Sequence, residues 1–267
     1  MTFRHTLLAT CIAAFALSLA GCGGPSDAEL TASAKALLAS KDTKGAVIQL
    51  KNALQKNPQS AEARLLLGKA LLESGDAVAA LVELRKAQEL QTPDELVMPE
   101  LARAMLMTGE DAKLLAQFST VKLKDAAASG DLLTSVATAF ANSRDIQKAR
   151  ESTQAALESR PGYAPALILQ ARMMAFENDI DGALPVLNKV LANEPGNERA
   201  GVLKGELLHR GKNDLDGALG AYKAVLAANP KSIPAHTAAM TVLYQQKKPD
   251  LAKAQFAELK KAAPNHP

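Results

Sequence analysis

Four histidines and two cysteines are the residues of this chain best suited to metal or nucleophilic chemistry, and their spacing favours neither. Zinc sites take their ligands in pairs a few residues apart. His5, His209, His236 and His266 stand singly, without a cysteine partner, and read as surface side chains. The glycines form no phosphate loop: Gly201 and Gly205 fall within a helical pattern, and Gly21 to Gly24 follow an apolar run. No serine stands in a nucleophile-elbow context. Acidic pairs such as Glu110-Asp111 fall in turns, where the positive end of a following helix accounts for them. The expectation is a protein that is not an enzyme, with no metal and no cofactor.

Cys22 points to a different chemistry. Met1 to Thr6 is a short polar start carrying Arg4, and Leu7 to Ala20 is an apolar run of about fourteen residues. That is the length of an export-signal core and too short to span a bilayer, so residues 1–21 are expected to be cleaved. Leu19, Ala20, Gly21 and Cys22 resemble the lipobox of bacterial lipoproteins position by position. The resemblance implies diacylglycerol on the Cys22 thiol, cleavage before it, and a further acyl chain on its new amino group. Each buried methylene contributes on the order of 0.8 kcal/mol and one chain holds only marginally, so two or more make a stable anchor. Cys22 is expected to be a tether rather than a catalyst. Cys11 lies in the removed segment, which would leave the mature chain without a free thiol or an internal disulfide. Gly23 follows Cys22 where an aspartate resembles the signal for inner-membrane retention, so the expected location is the bacterial outer membrane, lipid-anchored and facing the periplasm.

The remainder, Cys22 to Pro267, is rich in alanine and leucine, and the whole chain is 48% apolar, 3% aromatic and without tryptophan. This composition favours an all-helical protein packed through small residues. The formal charge of +3, about +2 without Arg4, is too weak a bias to argue for nucleic acid.

Internal repetition then organises the chain. AVIQLKNALQKNP from Ala46 to Pro58 is echoed by ALVELRKAQELQTP from Ala80, ALPVLNKVLANEP from Ala183 and ALGAYKAVLAANP from Ala218. Ala46 and Ala80 are 34 residues apart, as are Leu50 and Leu84, Gly75 and Gly109, and Pro161 and Pro195. The period and its positions, with Leu67-Gly68 and Leu71 in a first helix and Ala80, Leu84 and Ala87 in a second, resemble the tetratricopeptide repeat. Gly68, Ala102, Ala137, Ala171 and Gly205 recur where helix A must approach helix B. Leu71, Met105, Phe140, Met174, Leu208 and Leu243 recur three residues on as knobs that fill the gap. One hairpin cannot bury its own face, and stacked neighbours supply the missing core.

The fold expected is all-α: a right-handed superhelical solenoid of about seven such repeats after the cleaved lipoprotein signal. Residues 22–26 are a lipidated N-terminus and short leash, and the solenoid covers 27–267, with units near 27–60, 61–94, 95–129, 130–163, 164–197, 198–232 and 233–267. The third unit is the most degenerate, with Leu114 where alanine is usual. The sixth has one extra residue, placed in its turn HRGKNDLDG. Solenoids usually close on a helix with a polar outer face. This sequence stops where an eighth repeat would begin, which reads either as an exposed last hairpin or, the favoured expectation, as the front part of a longer protein.

The resemblance implies an inner groove lined by helix A at the second, fifth, ninth, twelfth and thirteenth places of each unit. The ninth place reads Lys35, Lys69, Arg103, Thr138, Arg172, Glu206 and Thr241. Lys35, Lys69, Arg103 and Arg172 are candidate groove contacts, a basic ladder suited to an acidic polymer or a carboxylate-rich peptide. The competing reading is a set of solvated side chains whose stems cover apolar surface.

The lipobox, the short leash and the first repeats, ASAKALLASKDTKGAVIQLKNALQKNPQSAEARLLLGKALLESGDAVAALVELRKAQEL, are similar to the PrsT family of tetratricopeptide lipoproteins in the exosortase and PEP-CTERM system. That similarity implies a non-catalytic envelope component associated with exopolysaccharide biosynthesis and export and with protein sorting. Its partners would be envelope proteins, with the membrane engaged through the lipid. Two other readings share the architecture: an outer-membrane assembly factor for a pilus, secretin or barrel-assembly machine, and an accessory that holds a cell-wall hydrolase.

Overall fold

The computed structural model describes residues 24–264, and the lipobox residues Leu19, Ala20, Gly21 and Cys22 lie outside them. Among the described residues the chain is all helical, with fourteen α-helices and no strand. They fall into two compact units that divide at Pro93. The first unit holds α1 (Asp27–Ala39), α2 (Thr43–Lys56), α3 (Ala61–Glu73) and α4 (Ala77–Glu89). The second holds α5 (Asp94–Met107), α6 (Asp111–Phe118), α7 (Ala126–Asn142), α8 (Ile146–Ser159), α9 (Ala164–Phe176) and α10 (Ile180–Asn193). It continues through α11 (Glu198–Glu206), α12 (Leu215–Ala228), α13 (Ile233–Gln245) and α14 (Pro249–Ala262). Odd-numbered helices are the A members of successive hairpins and even-numbered ones the B members.

Local chemistry sets where these helices begin. Ser60, Asp125, Asn197 and Ser232 cap A helices, each side chain accepting from a backbone N–H of the first turn. Asp42, Asp76, Asp145, Asp179 and Asp214 do the same for B helices. Such caps satisfy donors that have no partner within the helix. Glu110 and Lys248 replace them before α6 and α14, and neither makes a capping bond.

The turn inside each hairpin is closed by one recurrent bond. The Asp76 N–H donates to the Leu71 carbonyl at 2.9 Å, Glu110 to Met105 at 2.8 Å, Asp145 to Phe140 at 2.9 Å and Asp179 to Met174 at 2.9 Å. Closure this tight needs a residue in the left-handed region. Gly75 and Gly109 supply it with φ of 85° and 74°, whereas Lys41, Arg144, Asn178, Asn213 and Lys247 are held at 52° to 65° despite their side chains.

The small residues of helix A lie where close approach demands them. A Cβ on Gly68 would sit 2.5 Å from Leu84 Cγ, and one on Gly205 would sit 2.3 Å from the Tyr222 ring. Ala102, Ala137 and Ala171 are fully buried at the same register. One position of helix B, occupied by Leu50, Leu84, Phe118, Thr153, Leu187 and Tyr222, is at most 2% exposed in the first six hairpins, whereas Phe256 of α14 is 50% exposed. The knobs are less uniform than their spacing suggests. Leu71, Met105 and Leu243 are buried, but Phe140, Met174 and Leu208 are only half-buried. Phe140 lies at the edge beneath the Lys148 ammonium, 5.4 Å from the ring centroid.

Two irregularities have physical causes. α6 is only eight residues long, and it holds its place through Leu114 and Phe118, both essentially inaccessible to solvent. In the sixth hairpin the extra residue is taken up inside helix A: α11 widens into a π-helical turn over Leu207–Gly211. The closing bond there runs from the Asp214 N–H to the Leu208 carbonyl, six residues back where the others span five. His236 also departs from its sequence reading. It is buried, with Nε2 3.0 Å from the Pro230 carbonyl and Nδ1 facing the Gln255 amide, so it joins α13 to α14.

Polar ties join the start of one B helix to the end of the next A helix. In the first unit Thr43 Oγ1 donates to Glu73 Oε2 at 3.4 Å. In the second, Asn142 Nδ2 donates to Asp111 Oδ1 at 3.0 Å and Gln246 Nε2 to Asp216 Oδ1 at 2.8 Å, while Lys212 pairs with Asp181 at 2.5 Å.

Candidate functional site

In the second unit α9, α11 and α13 bring their groove-facing residues to one open cavity of about 600 Å³. Val202, Leu203 and Pro234 give it an apolar floor, while Arg172 from α9 and Arg199 and Glu206 from α11 give it charge. The hairpin geometry explains the grouping, because residues of stacked A helices at one register lie side by side. Arg199, Val202 and Glu206 occupy the second, fifth and ninth places of the sixth unit.

Two further polar residues of the cavity are committed to the scaffold. Asn197 Oδ1 accepts the Ala200 N–H at 3.0 Å as a helix cap. The Glu198 carboxylate accepts from Asn229 Nδ2 at 2.6 Å and from Ser232 Oγ at 2.7 Å, which locks the start of α11 to the turn between α12 and α13. Arg172 and Arg199 enter no hydrogen bond or ion pair among the described residues. Glu206 lies near Tyr222, whose hydroxyl is pushed up to about 12, first by burial and then by that carboxylate. The arrangement offers two cations and one anion over an apolar strip, which fits an extended peptide segment better than a small molecule.

A second polar cluster lies toward the start of this unit. Arg160 pairs with Asp131 at 3.0 Å, and its guanidinium lies 4.2 Å from the Tyr163 ring centroid. Burial, then the hydrogen bond and charge of Asp131, hold the Tyr163 hydroxyl well above the ordinary phenol range, partly opposed by Arg160 and Arg103. That hydroxyl therefore acts as a hydrogen-bond donor.

The four cations picked out by spacing have different surroundings. Lys35 on α1 pairs with Glu62 on α3 at 2.5 Å, both side chains more than half exposed. Lys69 on α3 is half-buried and engaged by a neighbour. Arg103 on α5 lies 3.8 Å from Glu100 and within the field of the Tyr163 cluster. Of the four, only Arg172 lines the cavity. Arg199 was not among them because only the ninth place was read for charge; the second place, read the same way, would have found it.

Among the described residues no group of three or more histidine, cysteine, aspartate or glutamate side chains is arranged to hold a metal, and no helix is long and apolar enough to cross a membrane.

Comparison with known proteins places this geometry in context. Two family models, both described as tetratricopeptide repeat, match residues 37–98 and 209–267 and residues 175–233 respectively, together more than half of the chain. A solved tetratricopeptide repeat protein from Parabacteroides merdae is similar at 16% identity, with 90% of this chain and 94% of that one covered and a TM-score of 0.64. A chain of the APC/C hetero-tetramer Cut9-Hcn1 is similar at 16% identity and a TM-score of 0.67, over 82% of this chain and 43% of that one. PilW, a type IV pilus biogenesis factor, is similar at 14% identity and a TM-score of 0.62, over 79% of this chain and 97% of that one. At these identities the likeness is one of fold. No curated protein matches by sequence.

Proposed function

Since the chain belongs to the tetratricopeptide-repeat family, whose members bind protein partners on a fold that is generally a non-catalytic scaffold, we propose that it is a membrane-anchored periplasmic scaffold of the bacterial cell envelope. It is not an enzyme on this reading. The observation that carries the scaffold reading is the cavity of the second unit, where Arg172, Arg199 and Glu206 surround an apolar strip. The occupant is a peptide segment whose acidic groups meet the two arginines and whose cation or amide meets Glu206.

The system served is PEP-CTERM/exosortase-associated exopolysaccharide biosynthesis and export, as the PrsT-like N-terminal sequence supports, with Cys22 as the lipid anchor in the outer membrane. Replacing Cys22 by serine is expected to abolish lipid labelling and release the protein from membranes; unchanged labelling would refute the anchor. A photo-crosslinking residue at Val202, with one at exposed Val78 as control, is expected to capture synthesis, export or sorting components through Val202 only. Equal capture at both positions would remove the cavity from the account.

A second reading keeps the scaffold and changes its machine to one that assembles a pilus, a secretin or an outer-membrane barrel. The fold likeness to PilW supports it. Recovery of pilus, secretin or barrel-assembly subunits through Val202 would select it.

A further inference from the structure

We propose that a second copy of this chain docks on the outer face of α14, with the two helices antiparallel about a two-fold axis. α14 buries only Ala252 among its fourteen residues. Asp250, Lys253, Ala254, Ala257, Glu258 and Lys261 are all exposed, and their alternating spacing of three and one places them on one stripe. Reversing the helix about the midpoint between Gln255 and Phe256 maps this stripe onto itself. Asp250 exchanges with Lys261, Lys253 with Glu258, and Ala254 with Ala257.

An isologous contact applies that exchange to two chains. Each Asp250 then faces a Lys261, each Lys253 faces a Glu258, and small side chains meet at the centre, where the backbones can approach. A parallel pairing would set Asp250 on Asp250 and Lys253 on Lys253, so the charges specify the orientation as well as the partner. The corresponding stripes of other B helices lack this property. On α12, Asp216 maps to Ala227 and Leu219 to Ala224; on α8, Gln147 maps to Glu158 and Arg150 to Ala155.

Phe256 lies outside the stripe, on the side of α14 that carries buried Ala252, and is 50% exposed where its counterparts Leu50, Leu84 and Tyr222 are at most 1% exposed. The one ion pair already on the stripe, Lys253 with Asp250 at 3.6 Å, is solvent-exposed and costs little to exchange. A helix of fourteen residues is about 21 Å long, so the contact is at the small end for stable interfaces and the dimer is a weak one.

Sedimentation equilibrium of the detergent-solubilised full chain tests this. Wild type is expected to dimerise reversibly and more weakly at high salt. Lys253→Glu and Glu258→Lys should each raise the dissociation constant about tenfold or more, because each sets like charges together twice. An equimolar mixture of the two variants should recover a heterodimer, and the double variant K253E/E258K should recover the homodimer. All are exposed substitutions, so helicity should be unchanged. A wild-type chain that stays monomeric at every concentration reached, or a dimer that neither single reversal weakens, would overturn the proposal; so would failure of the mixture to recover.

Discussion

Gly205→Ala and Gly220→Ala make the same chemical change on the two helices of one hairpin, and the structure assigns them different outcomes. Replacing glycine by alanine inside a helix stabilises it by about 1 kcal/mol when nothing else changes. Gly220 on α12 has nothing within 4 Å of the new methyl position, so that gain should appear intact. At Gly205 the methyl would lie 2.3, 2.6 and 2.8 Å from three Tyr222 ring atoms, so the ring must move by about 1 Å to regain ordinary contact. Tyr222 is 1% exposed and packed in a cluster with Ala218, Ala239, Val242 and Leu243, which leaves it little room. Overpacking of this kind costs about 1–3 kcal/mol. Helix propensity cancels between the variants, so Gly205→Ala should be less stable than Gly220→Ala by about 1–3 kcal/mol. Urea unfolding followed by far-UV circular dichroism measures the difference. Hydrogen exchange in α11 to α13 should accompany it, because a repeat array need not unfold in one step. Adding Tyr222→Leu should rescue Gly205→Ala. Equal stabilisation by the two alanines would refute the idea that glycine is there for close approach.

Other perturbations test different forces. Lys247→Gly and Arg144→Gly remove side chains from φ of 58° and 63° and should raise stability by up to about 1 kcal/mol in thermal melts, the relief of left-handed strain exceeding the added chain entropy. Arg64→Ala should destabilise the first unit by about 2–3 kcal/mol in urea, because it strips Glu83 of its partner in a pair whose side chains are only 13% and 17% exposed and leaves the Pro58 carbonyl without its donor. Glu29 is held below its ordinary pKa chiefly by the Ser26 backbone N–H, and Asp145 by that of Lys148. Both folded values lie below the unfolded ones, so the stability they contribute is present above the ordinary carboxylate range and lost as pH falls through the depressed values. Asp145→Asn should flatten that acid limb in a pH series of denaturation midpoints.

The repeat architecture was legible because its signals are local and recur. The 34-residue interval, Gly68 opposite Leu84 and Gly205 opposite Tyr222 follow from residue size at fixed spacing. The extra residue of the sixth unit was visible as a number but not as a place, since a turn and a widened helix end have the same length, and only the bond from Asp214 to Leu208 distinguishes them. His236 was read as exposed because its partners, Pro230 and Gln255, are ordinary in sequence and meet only in three dimensions. The basic ladder counted charges at one place per unit without their neighbours. Glu62 and Glu100 answer Lys35 and Arg103 from other positions, and Arg199 joins Arg172 from a second place.

The ties between successive hairpins bridge only about thirty residues each, from Thr43 to Glu73, Asp111 to Asn142 and Asp216 to Gln246. Low contact order of this kind lets structure grow as the polypeptide becomes available, each hairpin zipping onto the one before it. Pulled from its C-terminal end, the same chain should yield in the reverse order. α14, with Ala252 as its one buried residue, should peel away first and at low force while the hairpins behind it stay folded.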